Sequence, residues 1–526
     1  MLNKDYSRKF PIGVQSFEAL RDSNFMYVDK TYYVYDLAQS GKAYFLSRPR
    51  RFGKSLFLST LKAYFEGKKE LFEGLAIESL EKEWKKHPVL HFDFNAEVFD
   101  SIESLNALIN DSLAKYEHQY GSEKTETTVA LRFKGIINRA HLATGAKAVV
   151  LIDEYHKPLL QTIDNEELHD EYRKSLKAFY GALKSQDADL EFYFLTGVTK
   201  FSQVSVFSDL NQLKDISYYP AYNEICGLTW NEIEQNFKPE IEKLAKNNDS
   251  NYIDTRNTLI KNYDGYYFSD PTKAKSGVFN PFSVLNVLMD SEYDDYWFQT
   301  GTPTFLVNLM KKSDLDLRKL EGYKINTSEI RKIQDSRTNT SSPIPVLYQS
   351  GYLTIKKYDS KFKSYTLGFP NEEVKRGFIM FCAQFFTRIP EKETGFNIEH
   401  FVREIEQGKV DEFMERMRSF FANIPYELND QTERHYQVVF YIVFTLIGFY
   451  TEAEYRSARG RADMVVKTQD HIYVFEFKLD GTAESALAQI DDKGYLIPFT
   501  CDNRPVTKIG ANFSKEQRNI ERWIIV

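Results

Sequence analysis

At 526 residues the chain is too long for one hydrophobic core, so two to four domains are expected. A net charge of −7 excludes a broadly basic nucleic-acid-coating protein, and any such contact must come from local basic patches. Three widely spaced cysteines, Cys226, Cys382 and Cys501, exclude a disulfide framework and a cysteine-rich zinc site.

Aromatic residues make up 15% of the chain, mostly Phe and Tyr, which predicts ring-rich cores. The segment Met1 to Phe10 is polar and charged, unlike a signal peptide. The most apolar run, Val438–Tyr450, is interrupted by Thr445 and Gly448 and is too short to span a bilayer. A cytoplasmic protein without membrane contact is expected.

An α/β multidomain fold follows from the order of elements. Residues 1–235 alternate short apolar strands with longer helical patterns, the signature of a parallel sheet. Candidate strands are Ala43–Ser47, Val89–Phe94, Ala148–Asp153 and Glu191–Thr196, apolar enough to be buried on both faces. Residues 236–335 read as a helical lid. Residues 336–394 hold a helix (Pro345–Ser350), two strands (Tyr352–Lys357 and Ser364–Phe369) and a helix after Pro370-Asn371, as in a winged-helix-like module. Such a module can bind DNA or serve as a spacer. Residues 395–526 form a final α/β domain of helices, two hairpin-like strands and a helix.

The segment Arg48-Pro49-Arg50-Arg51-Phe52-Gly53-Lys54-Ser55 joins the first strand to an amphipathic helix, Leu56–Phe65. A phosphate site of this kind needs backbone N–H groups aimed at the phosphates, a Lys for the β/γ oxygens and a Ser hydroxyl on Mg²⁺. Lys54 and Ser55 meet the last two needs, but Arg48 and Pro49 stand where the full pattern begins with Gly. Ala148–Ile152 runs into Asp153-Glu154, where ligands bind in parallel sheets. Asp153 is expected to orient Mg²⁺-bound water, Glu154 to polarise the attacking water, and Thr196 to sense the γ-phosphate. Arg50 and Arg51 either clamp phosphate oxygens, reach a neighbouring subunit, or form a solvated loop edge.

These segments, with Leu151-Ile152-Asp153-Glu154-Tyr155-His156-Lys157-Pro158 and Leu195-Thr196-Gly197-Val198-Thr199-Lys200-Phe201, resemble the bacterial AAA-ATPase-like family. So do Ile12–Phe17, Tyr27–Thr31, Tyr263–Tyr266, Asn280–Ser283 and Tyr296–Gly301, which extends the resemblance over nearly the whole chain. It implies a P-loop ATPase whose loop often lacks the first glycine, commonly followed by a nuclease-like domain. His156 departs from the family, whose members usually carry Asp there.

On the predicted strand Ile472–Leu479, period two puts Glu476 and Lys478 on one face and Phe475, Phe477 and Leu479 on the other. Asp463 begins the preceding strand, so a tight antiparallel pair brings it beside Glu476. Two adjacent carboxylates repel unless a cation or protons intervene, and Mg²⁺ with waters and a substrate phosphate is a natural solution, with Mn²⁺ as a substitute. Lys478 then orients the attacking water and offsets transition-state charge. The plainer alternative is a structural ion pair on a half-exposed strand. Asp followed by Glu-x-Lys resembles the PD-(D/E)XK nuclease superfamily, and two more positions match its pattern: Glu433 on the preceding helix and Gln489 on the following one. Arg456, Arg459 and Arg461 are local candidates for a phosphate backbone.

The expected protein is an ATPase coupled to a metal-dependent nuclease acting on DNA in preference to RNA, in mobile-element control or defence, with homo-oligomerisation left open. The alternatives are an ATP-dependent regulatory switch, or a DNA-binding ATPase whose C-terminal domain only docks a partner.

Overall fold

Each apolar run of the N-terminal region becomes a strand: β1 (Ala43–Ser47), β2 (Val89–Asp93), β3 (Ala148–Asp153) and β4 (Leu190–Gly197). With β5 (Lys214–Asp215) they form a parallel five-stranded sheet in the order β2-β3-β4-β1-β5. Every residue of β1 and β3 is buried, the consequence of helices covering the sheet. Helix Lys54–Phe65 packs against β2, β3 and β4, and helix Val129–Thr144 against β3. Phe133 and Phe179 stack at 4.6 Å in the layer beyond. The interposed β4 matters for function, because it separates the loop after β1 from the acids that end β3 by one strand.

The structure is a computed structural model and describes residues 8–95, 99–162, 165–198, 212–298, 316–330, 342–424, 433–448, 452–455, 463–479, 481–514 and 516–526. It divides into two compact units, Met1–Leu315 with Glu321–Glu373, and Asp316–Leu320 with Val374–Val526. Arg456, Arg459, Arg461 and the end of the Leu195–Phe201 motif lie outside the described residues. No helix among the described residues is long and apolar enough to cross a membrane.

Within the first unit, helices Trp230–Asn247, Tyr252–Tyr263 and Pro281–Asp290 share a core built on Ile233, Phe237, Leu259 and Val284. The first of them starts at a capping box, in which Thr229 and Glu232 satisfy each other's backbone N–H. A separate antiparallel sheet follows, β6 (Tyr323–Asn326), β7 (Thr354–Asp359) and β8 (Ser364–Gly368), in the order β6-β8-β7. Two features differ from the sequence reading. Strand β6 comes from the stretch read as helical lid, and helix Ile344–Gln349 is buried at every residue, so it offers no face to a DNA groove.

The second unit holds a mixed sheet of β9 (Glu452–Tyr455), β10 (Met464–Lys467), β11 (Ile472–Leu479), β12 (Val506–Ser514) and β13 (Asn519–Ile525), in the order β13-β12-β11-β10-β9. The sequence reading ended this domain on a helix and missed β12 and β13. In β12 the short apolar alternation Ile509, Ala511, Phe513 is interleaved with Gly510 and Asn512, and in β13 the Glu521-Arg522 pair breaks the apolar pattern. Strand β12 runs parallel to β11, and helix Ala483–Asp492 is the crossover between them. Residues Val438–Phe444 of helix Glu433–Ile447 are buried, and Phe440 and Phe444 lie 4.4 and 5.9 Å from the Phe477 ring.

Candidate functional site: a phosphate loop and an acidic cluster

After β1 the chain turns through Arg51 (φ 66°) and Gly53 (φ 89°), which caps helix Lys54–Phe65. The first-turn N–H groups have no partner within the helix, so its N-terminus is suited to anions. Lys54 is buried; its Nζ donates to the Pro49 carbonyl at 3.2 Å and lies 3.4 Å from Glu154 Oε1. Asp153 is buried at the end of β3 and hydrogen-bonded by the Ser55 side chain. Burial, reinforced by the Glu154 charge, pushes its carboxyl up to about 6. The fold thus brings Lys54, Ser55, Asp153 and Glu154 together, and this donor set fits a phosphate chain with Mg²⁺.

A cavity of about 910 Å³ opens over the loop. Its lining includes Arg50 to Ser55, Glu154 and His156 together with the apolar Ile12, Val14, Met26, Phe282 and Leu285. Arg51 lies over the Phe282 ring at 3.9 Å. Phe52 is turned inward between Tyr266 and Phe268, at 4.9 and 5.4 Å.

Three candidates face elsewhere, Arg48, Pro49 and Thr196. Arg48 is 1% exposed and lies over the Phe268 ring at 4.1 Å. Its guanidinium donates to the carbonyls of Ser47, Ser217 and Tyr222 at 2.8, 2.9 and 2.7 Å. Neither Arg48 nor Pro49 lines the cavity. Arg48 stands at the glycine position of the usual loop because its side chain ties the loop to the segment after β5. Thr196 is fully buried and donates to the Leu46 carbonyl at 3.0 Å, stapling β4 to β1 rather than reaching the cavity.

Glu154 takes a left-handed backbone (φ 48°), costly for a side chain of its size and a mark of a site held in place by its surroundings. Its Oε2 lies 3.5 Å from His156 Nε2. His156 is 2% exposed, and burial beside Lys54 and Lys157 drives its imidazole down to about 3, so it is neutral. Gly197 makes room for it, since a Cβ there would stand 2.2 Å from His156 Nδ1.

In the second unit the antiparallel register of β10 and β11 pairs Met464 with Phe475, which sets Asp463 beside Glu476. Each carboxylate accepts from the other strand: the Asp463 N–H donates to Glu476 Oε2 at 3.2 Å, and the Phe477 N–H to Asp463 Oδ2 at 2.9 Å. Glu476 is 2% exposed. Burial, with Asp463 alongside, pushes it up to about 7, and burial raises Asp463 as well. Lys478 Nζ lies 3.5 Å from Glu476 Oε1. Gln489 bridges the cluster, its Oε1 accepting from Lys478 and its Nε2 donating to Glu476. Helix Ala483–Asp492 therefore covers the face at Glu476, while Lys478 on the same face stays partly exposed.

Tyr495 completes this network and was missed from sequence. Its hydroxyl accepts from Gln489 Nε2 at 3.2 Å, while Lys478, a donor only, sets the amide with its oxygen toward the ammonium. The cause is the helix end. Gly494 (φ 63°) donates to Asp491 and Tyr495 to Ile490, a Schellman turn that folds Tyr495 back under its own helix. Glycine after an amphipathic helix is the signal that could have found it. Glu433 starts helix Glu433–Ile447, but its side chain lies outside the described residues.

Two adjacent carboxylates, both raised by burial and Glu476 further by Asp463, fit a divalent cation that also uses water and substrate oxygens. Among the described residues no set of three or more His, Cys, Asp or Glu side chains clusters for a metal. The fold and the two sites define a P-loop, AAA-like domain followed by a domain of the PD-(D/E)XK nuclease class. Residues 11–207 match the family described as "Predicted AAA-ATPase", and residues 431–523 match the PD-(D/E)XK nuclease superfamily. A relative from Azotobacter chroococcum mcd 1, called an uncharacterized protein in the vnfD 5' region, is 34% identical over 98% of this chain and 99% of its own. The chain belongs to this AAA-ATPase-like family with a C-terminal PD-(D/E)XK nuclease domain. No solved structure matches it.

Proposed function

We propose that the protein binds and hydrolyses ATP at Gly53, Lys54 and Ser55, and couples that cycle to Mg²⁺-dependent cleavage of nucleic acid, DNA before RNA. Residues 1–235 would hold ATP, 236–335 act as the lid, 336–394 form the winged module, and 395–526 carry the nuclease. A cytoplasmic role in mobile-element control or defence suits this combination. The observation that carries the reading is the convergence of Asp463, Glu476, Lys478 and Gln489 on one point of the second unit.

In the first unit Lys54 binds the β/γ oxygens, which takes it from Glu154 and frees that carboxylate to accept a proton from water. Ser55 and Asp153 would hold Mg²⁺, and Asp153 must shed its proton to do so. In the second unit Asp463 and Glu476 would hold a divalent cation, which supplies Lewis acidity at the scissile phosphate. Lys478, oriented by Gln489, places the attacking water and offsets the charge that builds on the phosphate.

The test is cleavage of mixed DNA and RNA with Mg²⁺ or Mn²⁺, with and without ATP, in wild type, Lys478→Ala and Lys54→Ala. Loss in the first variant and altered rate in the second support the coupled enzyme. ATP hydrolysis without cleavage under any condition would replace it with a nucleotide switch.

A further inference from the structure

The sheet β6-β8-β7 belongs to neither site. Lys324 of β6 and Lys357 of β7 both stand opposite Thr366 of β8, so they flank it on one face, and both are exposed. Ile325 and Tyr365 alternate to the other face and are buried. At the β7–β8 tip the exposed Lys361 and Lys363 bracket Phe362, which is 68% exposed, the most exposed large aromatic side chain among the described residues.

The tip has a built shape. The Asp359 carboxylate accepts the N–H groups of Lys361 and Phe362 at 3.0 and 3.1 Å, and Lys363 adopts φ 49°. The hairpin's acidic group is thereby engaged by its own turn, while Lys361 and Lys363 are exposed and the Lys361 ammonium lies over the Phe362 ring at 5.3 Å, leaving the ring's other face open to a base. Glu321 precedes β6 and Glu329 follows the end that meets the tip, where the Thr327 N–H donates to the Lys363 carbonyl; with Asp359 engaged by its turn, Lys324, Lys357, Lys361 and Lys363 still outnumber the acids of this sheet. In a chain of net charge −7, this is a local cationic surface with an aromatic ring at its apex.

We propose that this sheet face and tip form a nucleic-acid contact, in which Lys324, Lys357, Lys361 and Lys363 meet phosphates and Phe362 stacks on an unpaired base. The choice of polymer rests on the nuclease reading above. Phosphates supply the complementary charge, and every base offers a face to an exposed ring. The buried helix Ile344–Gln349 leaves the hairpin, not a groove-reading helix, as the part of this module that can reach a strand.

The test uses full-length Lys478→Ala protein, to prevent cleavage, and fluorescence anisotropy with a labelled single strand and its duplex. Phe362→Ala should weaken single-strand binding about tenfold and duplex binding less. Lys361→Glu with Lys363→Glu should weaken both and lower the log–log salt slope by about one to two between roughly 50 and 200 mM. Lys243→Glu with Lys246→Glu, an equal charge change on the exposed side of helix Trp230–Asn247, should leave the slope unchanged. Tip variants that bind like their parent, a parent that binds no nucleic acid, or binding through the tip to phosphatidylserine vesicles instead would each overturn the proposal. Binding through the tip without cleavage by wild type sinks the nuclease reading alone; cleavage by wild type with unchanged tip variants sinks this one alone.

Discussion

Replacing Arg48 by alanine separates two roles for the residue where a phosphate loop usually begins with glycine. If its guanidinium is a structural tie, the variant removes three hydrogen bonds to the carbonyls of Ser47, Ser217 and Tyr222. The Tyr222 carbonyl keeps the Ile225 N–H at 3.4 Å, so at most two buried carbonyls are left without a partner at roughly 1–3 kcal/mol each, a gross loss of about 2–6 kcal/mol. Two gains offset part of it, because the charge no longer has to be desolvated and water can enter the vacated space. A net loss of about 3 kcal/mol is expected, and at about 2 °C per kcal/mol for a unit of this size the melting point should fall by about 6 °C. Arg48→Lys, with a single ammonium in place of the planar fork, should recover less than half of that. Calorimetry without nucleotide gives the shift, read on the transition that ATP displaces, and titration with a fluorescent ATP analogue gives the affinity. A variant that melts with wild type but loses tenfold or more in ATP affinity would refute the argument and make Arg48 a phosphate ligand.

Glu154→Gln should slow ATP hydrolysis by about a hundredfold while binding ATP at least as tightly, because Lys54 loses a carboxylate competitor; single-turnover rates within threefold of wild type would contradict this. Glu476 holds its proton up to about 7 in the folded protein against an ordinary 4.5, so the metal-free second unit should lose stability as pH rises through that window, by about 3 kcal/mol in all. The same proton opposes metal binding, so Mn²⁺ affinity measured by calorimetry should rise about tenfold between roughly pH 6 and 8, and much less in Glu476→Gln. Gly510→Ala places a Cβ 2.5 Å from the Ala483 carbonyl and 2.8 Å from the Leu487 nitrogen, forcing helix Ala483–Asp492 off β12 and carrying Gln489 away. Cleavage should be lost although no site side chain is changed, and retention of more than half the rate would exclude the mechanism. Tyr495→Phe deletes one of the hydrogen bonds that hold Gln489 against Lys478 and Glu476; cleavage should fall about tenfold, with stability barely altered in a melting assay.

Local sequence determined the parts whose chemistry is contiguous. Strands β1, β3 and β4 were legible because burial demands near-unbroken apolar runs, while edge strand β2 is buried only at alternate residues; Lys54 and Ser55 were legible because a strand, a glycine turn and a helix start are adjacent in the chain, and Asp153 and Glu154 because they end a second buried strand. Asp463, Glu476 and Lys478 could be grouped because period-two geometry and one tight strand pair suffice to bring them together. Tertiary structure alone decided the rest. The interposition of β4, the inward turn of Arg48 to carbonyls more than 160 residues away, and Thr196 bonding to β1 instead of the cavity all depend on which strands become neighbours. The Tyr495 contact needs a glycine turn and a crossover helix at once. Strands β12 and β13 escaped notice because the alternation Ile509, Ala511, Phe513 is short and the Glu521-Arg522 pair breaks β13, so their pairing with β11 and with each other defines them. Spacing along the chain reports which groups are close in sequence; direction, burial and long-range partners arise only when the sheet closes around them.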